Sequence, residues 1–168
     1  MKPKPFCPAL LNAEINTDSG IFVRDLTDGR VWHRCAYRTL YADTDRSDVV
    51  YHANYLRYFE VGRSAIMRDL SCPYREIEDD DFRHPIIRTE LEYFSPLRYD
   101  DPLWIYTRPG RLERVKLQFD YLITHGETGE VVCRGYTRHC AIRANGTPVA
   151  VDEKTLRIWE RFPEDAAG

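Results

Sequence analysis

Between Tyr41 and Glu60 the chain places Asp43, Thr44, Asp45, Asp48 and His52 together in one short polar stretch. Their types suit chemistry at a carbonyl. A carboxylate on a turn can act on a substrate carbonyl or on water, and exposed amide groups at a helix start supply partial positive charge for an oxyanion. Val49 and Val50 can line an apolar wall beside them. Acyl transfer or hydrolysis is the chemistry this combination fits. The same residues also fit a structural reading, in which Asp and Thr make local side-chain to backbone hydrogen bonds and His52 merely stands near a helix start.

The flanking elements decide where these groups stand. Cys35 to Tyr41 carries aromatic and β-branched residues and predicts a strand leading into the polar turn from Asp43 to Asp48. Beyond it Tyr55, Phe59, Gly62, Ile66 and Leu70 recur at three- and four-residue steps, the stripe of an amphipathic helix, with Asn54 as its expected cap. Gly62 costs that helix about 1 kcal/mol relative to alanine, so a close packing partner is expected there. Pro73 should end it, leaving Glu76 to Asp81 as a solvated acidic loop; no histidine is interleaved in that run, and no metal site is expected.

The second half alternates as strands. Ile87, Thr89, Leu91 and Tyr93 interleave with Arg88, Glu90 and Glu92; Leu103, Ile105 and Thr107 follow the Asp100-Asp101-Pro102 turn; Leu117, Phe119, Tyr121 and Ile123 come next; Val131 to Ile142 closes the series. Short connections make the sheet largely antiparallel. Asp152 should cap a closing helix through Phe162. Upstream, Asp28-Gly29 between Ile21–Arg24 and Arg30–His33 predicts a small hairpin. The expected fold is α+β, one long helix embraced by a curved antiparallel sheet. Residues 1–34 are read as an N-terminal extension with a hairpin, its first part to Ser19 lying over the domain or partly disordered; 35–162 form the domain with its closing helix, and 163–168 a tail.

Composition narrows the function classes. A net charge of -3 gives no global attraction to nucleic acid or anionic membranes. The five cysteines form no CxxC pair and are expected to be reduced thiols. No stretch reaches membrane-spanning length, and the N-terminal apolar run is too short and interrupted for a signal sequence. A cytoplasmic protein is expected.

Asp43-Thr44-Asp45, then Val49 to Tyr55, then Tyr58-Phe59-Glu60 and Arg63, resembles the signature of the 4-hydroxybenzoyl-CoA thioesterase branch of hotdog-fold proteins, including the Tol-Pal-linked acyl-CoA thioesterases. Glu92-Tyr93 and Pro96 followed by Tyr99-Asp100 extend the likeness along most of Cys35 to Ile142. The resemblance implies a homo-oligomer, dimer or tetramer, with sites at the dimer interface and no cofactor, coenzyme A being part of the substrate. It implies that Asp45 is the catalytic carboxylate, as nucleophile or general base, and that His52 assists while the backbone N–H there polarises the thioester carbonyl. Asp48, Val50, Tyr51, Asn54 and Tyr55 are expected around the substrate, with Arg88 and Thr89 contributed by a partner subunit. Arg111, Arg114 and Lys116 are expected to hold the coenzyme A phosphates, although the same residues fit an ordinary solvated edge.

Two departures stand out. Asp48 occupies a position where the family commonly has glycine, so a left-handed turn conformation is expected there, and a second buried carboxylate would repel Asp45. The extension before Cys35 is not needed by the core family. Two alternatives to a thioesterase remain: a non-catalytic acyl-thioester binding protein and a hotdog hydroxyacyl-thioester dehydratase.

Overall fold

A computed structural model describes residues 2–11 and 18–166. The expected extension to Ser19 thus lies partly outside the described residues, at residue 1 and at 12–17. The elements are β1 (Pro8–Leu10), β2 (Ile21–Asp25), β3 (Val31–Arg38), α1 (Asn54–Asp69), α2 (Tyr74–Asp79), β4 (Phe82–Arg83), β5 (Ile86–Tyr93), β6 (Pro102–Leu112), β7 (Lys116–His125), β8 (Val131–Cys140), β9 (Ile142–Arg143) and α3 (Glu153–Arg161). Seven strands form one sheet in the order β1-β2-β3-β6-β7-β8-β5, every pair antiparallel, and β4 pairs with β9 apart from it. The class is α+β, the hotdog arrangement of a sheet curved around one long helix.

The alternation that predicts the strands also sets the core. Leu103, Ile105 and Thr107 of β6, Leu117, Phe119, Tyr121 and Ile123 of β7, and Cys133 and Thr137 of β8 are buried toward α1. From the helix, Tyr55, Phe59, Gly62, Ile66 and Leu70 are all buried, as the stripe requires, and Phe59 stacks on Tyr121 with centroids 4.2 Å apart. Each fully buried large apolar side chain of this kind contributes about 1.5–3 kcal/mol. Gly62 is where the sheet comes closest. A Cβ there would lie 2.3 Å from Thr107 Oγ1 and 2.7 Å from Ile105 Cγ2. Gly62→Ala should therefore destabilise the protein by about 1–3 kcal/mol despite alanine's better helix propensity, read as a lower urea midpoint at unchanged m-value. A rise in the midpoint would show that the sheet yields at no cost.

Three sequence expectations are corrected. Asn54 is not the cap but the first residue of α1, and its side chain donates instead to Asp43 O at 2.8 Å. The acidic run is mostly α2 rather than a loop, because Ile77 is buried against the core while the carboxylates face outward. The hairpin around Gly29 (φ 75°) is real, but its second arm and the strand expected from Cys35 are one continuous β3, which pairs directly with β6. Residues before Cys35 thus enter the main sheet. At the other end Asp165 pairs with Arg108 at 2.7 Å and accepts from Val31 N at 2.6 Å.

A buried polar chain ties the sheet to α3. Tyr121 Oη contacts Thr137 Oγ1 at 2.9 Å, Thr137 Oγ1 contacts His139 Nε2 at 2.8 Å, and His139 Nδ1 lies 2.8 Å from the His84 carbonyl oxygen. A carbonyl can only accept, so Nδ1 carries the proton and Nε2 accepts from the Thr137 hydroxyl. His84 Nε2 in turn lies 3.3 Å from Asp152, whose carboxylate caps α3 through Thr155 N at 2.9 Å, as expected. Burial, reinforced by the Arg63 charge, depresses His139 from 6.5 to about 4. Unfolded, the ring gains a proton near pH 6.5; folded, it does so only near 4. The stability it contributes is thus complete above pH 6.5 and is lost as pH falls from there to about 4, on the order of 3 kcal/mol. Denaturation midpoints across that window should show the slope, and His139→Gln should flatten it; an unchanged slope in the variant would assign it to other groups.

Candidate active site

The site is built on the turn that joins β3 to α1. Asp43, fully buried, anchors it: its carboxylate accepts from Leu40 N at 3.0 Å, from Tyr58 Oη at 2.9 Å and from Arg57 Nη1 at 3.3 Å. Its carbonyl accepts from Tyr51 N at 2.9 Å and Asn54 Nδ2 at 2.8 Å. Burial, with the Asp43 carboxylate beside it, pushes the Tyr58 phenol far above its ordinary range. Asp43 therefore holds both ends of the turn and faces inward.

Asp45 faces the other way. It is exposed, and among the described residues its carboxylate takes one hydrogen bond, from Ser47 N at 2.7 Å to Oδ1. Its backbone closes the turn, Asp45 N donating to Val49 O at 2.9 Å and its carbonyl accepting from Asp48 N at 3.1 Å. Asp48 adopts φ 59°, the left-handed conformation that the family resemblance leads one to expect there. It too is exposed, so the burial that would make the two carboxylates repel strongly is absent. Arg98 Nη1 steadies the turn from the β5–β6 loop, 3.4 Å from Asp48 O.

His52 is exposed, with its ring 4.3 Å from that of the exposed Tyr51. The N–H groups of His52 and Ala53 find no acceptor among the described residues, whereas Val50 N donates to Leu97 O and Asn54 N to Tyr51 O. Two unspent donors thus stand at the head of α1 on the exposed side of the turn. Beside them a cavity of about 300 Å³ is lined by Val50, His52, Tyr55, Tyr93, Phe94 and Pro96, largely apolar. Tyr93 Oη donates to His52 O at 2.8 Å, tying strand β5 to the turn. Burial raises the Tyr55 phenol to about 12, so it is a neutral wall at working pH.

Not every expected residue joins this cluster. Arg88 and Thr89 are exposed on β5, Arg88 lying 3.6 Å from Glu90 and Thr89 Oγ1 donating to Tyr136 O at 3.1 Å. Arg111 pairs with Glu113 at 2.8 Å, Arg114 is exposed, and Lys116 opens β7 opposite Cys140. In the sheet register that is the Ile86 end of β5, whereas the site lies at its Tyr93 end. At about 3.3 Å per residue the two are separated by roughly 20 Å within one chain. The sequence reading missed the anchoring of the turn by Tyr58, Arg57 and Arg98, and the link from Tyr93 to His52. A tyrosine on the helix stripe carries no mark that its hydroxyl will meet a buried carboxylate.

A helix wrapped by an antiparallel sheet, with an exposed carboxylate, a histidine and free amides at the helix head, defines a hotdog protein of the thioesterase kind. The chain belongs to the thioesterase-like superfamily, whose family profile matches residues 39–159. It is 30% identical over 94 residues to the acyl-CoA thioester hydrolase YbgC of Escherichia coli, covering 56% of this chain and 70% of that one. It is 28% identical over 129 residues to the 1,4-dihydroxy-2-naphthoyl-CoA hydrolase of Thermosynechococcus vestitus, covering 76% and 88%. The crystal structure of a hypothetical protein from Aquifex aeolicus superposes with a TM-score of 0.70 at 28% identity, covering 74% of this chain and 97% of the other.

Proposed function

We propose that the protein hydrolyses the thioester bond of an acyl- or aroyl-CoA, in the manner of the 4-hydroxybenzoyl-CoA and Tol-Pal-linked thioesterases. The observation that carries this reading is the pair of unspent N–H groups at His52 and Ala53 on the same turn as the exposed Asp45 carboxylate. A thioester carbonyl oxygen accepting from these donors gains stabilisation as it becomes an oxyanion. Asp45 then either adds to the carbonyl carbon or takes a proton from the water that does. The C–S bond breaks as the tetrahedral centre collapses, and the thiolate of coenzyme A leaves and takes up a proton; where water has added, the carboxylic acid remains, and where Asp45 has added, an acyl-aspartyl anhydride remains, which water then hydrolyses to the acid and the free Asp45 carboxylate. His52 borders both the turn and the apolar cavity, where it assists at the leaving group or water, and Val50 and Tyr55, which line that cavity, frame the acyl part with Tyr51 and Asn54 of the same turn. No cofactor enters this scheme.

Assembly completes the site. β5 is an edge strand with Ile86, Ile87 and Tyr93 roughly half exposed, an edge suited to a second copy of this chain. A dimer or tetramer brings Arg88 and Thr89 of one subunit toward the turn of another, and offers Arg111, Arg114 and Lys116 to the coenzyme A phosphates that the turn of the same chain cannot reach. A cytoplasmic location accords with coenzyme A esters as substrates; among the described residues no helix is long and apolar enough to cross a membrane. The test is thiol release from a panel of short, long and aromatic CoA esters. Release above the uncatalysed rate is expected for at least one class. Saturable ester binding without release would make the protein a binding module, and an enoyl product without free thiol would make it a dehydratase.

A further inference from the structure

The two unspent amides at the head of α1 are held in different ways. The N–H of His52 belongs to the peptide unit whose carbonyl is that of Tyr51, and that carbonyl accepts from Asn54 N at 2.9 Å. Main chain alone fixes this donor. The N–H of Ala53 shares its peptide unit with the His52 carbonyl, and a regular helix would engage that oxygen with Leu56 N, four residues on. Here Leu56 N donates to Ala53 O instead, at 3.2 Å, and among the described residues no backbone N–H bonds to His52 O. Its partner is a side chain from another element. Tyr93, the last residue of β5, donates to it through Oη at 2.8 Å.

That bond reaches the donor because a peptide unit is rigid. Partial double-bond character keeps C=O and N–H trans in one plane, so a partner that fixes the carbonyl oxygen also fixes the direction of the N–H. Linked hydrogen bonds polarise one another, which makes Ala53 N–H a better donor while Tyr93 holds the other end of its peptide. The Asp43 anchor does not do this. It grips Tyr51 N and the Asn54 side chain, on either side of the His52–Ala53 peptide, and makes no bond to the peptide itself. Tyr93 is in turn well placed: its backbone pairs with Cys133, its ring lies edge-on to Tyr55 with centroids 5.3 Å apart, and it borders the apolar cavity beside His52. Burial raises its phenol above the ordinary value of 10.0, so the hydroxyl keeps its proton through the neutral range.

We propose that Tyr93 is a positioning residue for thioester hydrolysis, which by holding the His52 carbonyl aims the Ala53 N–H at the oxygen of the tetrahedral intermediate. This rests on the reading of the turn as a thioesterase site and adds to it a side chain that acts through the main chain. The aimed donor counts most when charge has developed on the oxygen. Its loosening therefore falls on the transition state rather than on ester binding, and on kcat rather than KM.

Thiol release from acetyl-, octanoyl- and benzoyl-CoA by the full chain tests this, measured for the wild type, Tyr93→Phe and Tyr99→Phe alongside heteronuclear NMR of the ligand-free proteins. Tyr93→Phe keeps the ring and loses only the donor. On the ester turned over fastest, kcat should fall roughly tenfold with KM held within about twofold, a smaller loss than the about 10²–10³ that follows outright removal of an oxyanion donor. Tyr99→Phe makes the same change at an exposed ring on the β5–β6 loop and should leave both constants unaltered. In the spectra, which need no turnover, the His52 carbonyl carbon and the Ala53 amide should shift and the Ala53 order parameter should fall in Tyr93→Phe alone, with Val50 and Leu56 unmoved. No thiol release by the wild type would overturn the hydrolase reading and this inference with it. Release by the wild type with equal kcat in Tyr93→Phe, a loss carried by KM alone, or an Ala53 signal indifferent to the change would each overturn this inference and leave the hydrolase reading standing.

Discussion

Asp45→Asn should lower kcat for thioester hydrolysis by roughly 10²–10⁴-fold with the fold unchanged. Asparagine keeps the oxygen that accepts from Ser47 N and the backbone bonds to Val49 and Asp48, so the turn survives. What it loses is the negative charge, and with it both the nucleophile and the base. Because Asp45 is exposed, its replacement should move stability by no more than about 0.5 kcal/mol. The expected result is therefore a loss of turnover at an unchanged urea midpoint and with substrate affinity largely retained, since the free amides of His52 and Ala53 remain. Single-turnover measurements sharpen the outcome: an acyl-enzyme trapped at Asp45 in the wild type would establish the nucleophile, and its absence with a solvent isotope effect would favour the base. Turnover preserved in Asp45→Asn would remove this carboxylate from the reaction and return the turn to a structural role.

The sequence made the framework legible because burial leaves a period. Alternation in β6 to β8 and the stripe from Tyr55 to Leu70 each state which face meets the core, and the structure follows them; in the edge strand β5 the face expected inward instead leaves Ile87, Thr89 and Tyr93 exposed. Gly62 announced a close approach, and the place of Asp48 in the stretch that resembles the family signature announced a left-handed turn. What stayed hidden depends on three-dimensional convergence. Asp43 and Asp45 have the same chemistry two residues apart, yet one is fully buried and the other exposed, a difference set by Leu40, Arg57 and Tyr58 rather than by any local pattern. The acidic run concealed a short helix because charge dominates its composition while a single apolar residue, Ile77, decides its packing. The N-terminal segment has no period of its own; its place follows from Phe6 meeting two aromatic rings of the outer sheet face.

The same contrast makes Asp43 the sharpest test of how the site is held. Asp43→Ala should destabilise the protein by about 3–5 kcal/mol, because it strands the Tyr58 hydroxyl and the Leu40 N–H in a buried setting and opens space beneath the turn. Arg57 adds little to this figure, as its side chain is largely exposed. Tyr58→Phe removes one donor and leaves the carboxylate its other partners, so about 1 kcal/mol is expected. The two sites are in contact, so the double variant should cost less than the sum of the singles, by an interaction of about 1 kcal/mol in a double-mutant cycle. Activity should separate from stability in the opposite sense to Asp45. Well below its melting transition Asp43→Ala keeps the chemical groups at Asp45 and His52, but the free amides are no longer fixed relative to them, so kcat should fall more than KM rises. If the urea midpoint of Asp43→Ala equals that of the wild type, the buried carboxylate does not anchor the turn, and the orientation of Asp45 must come from Arg98 and Tyr93 instead.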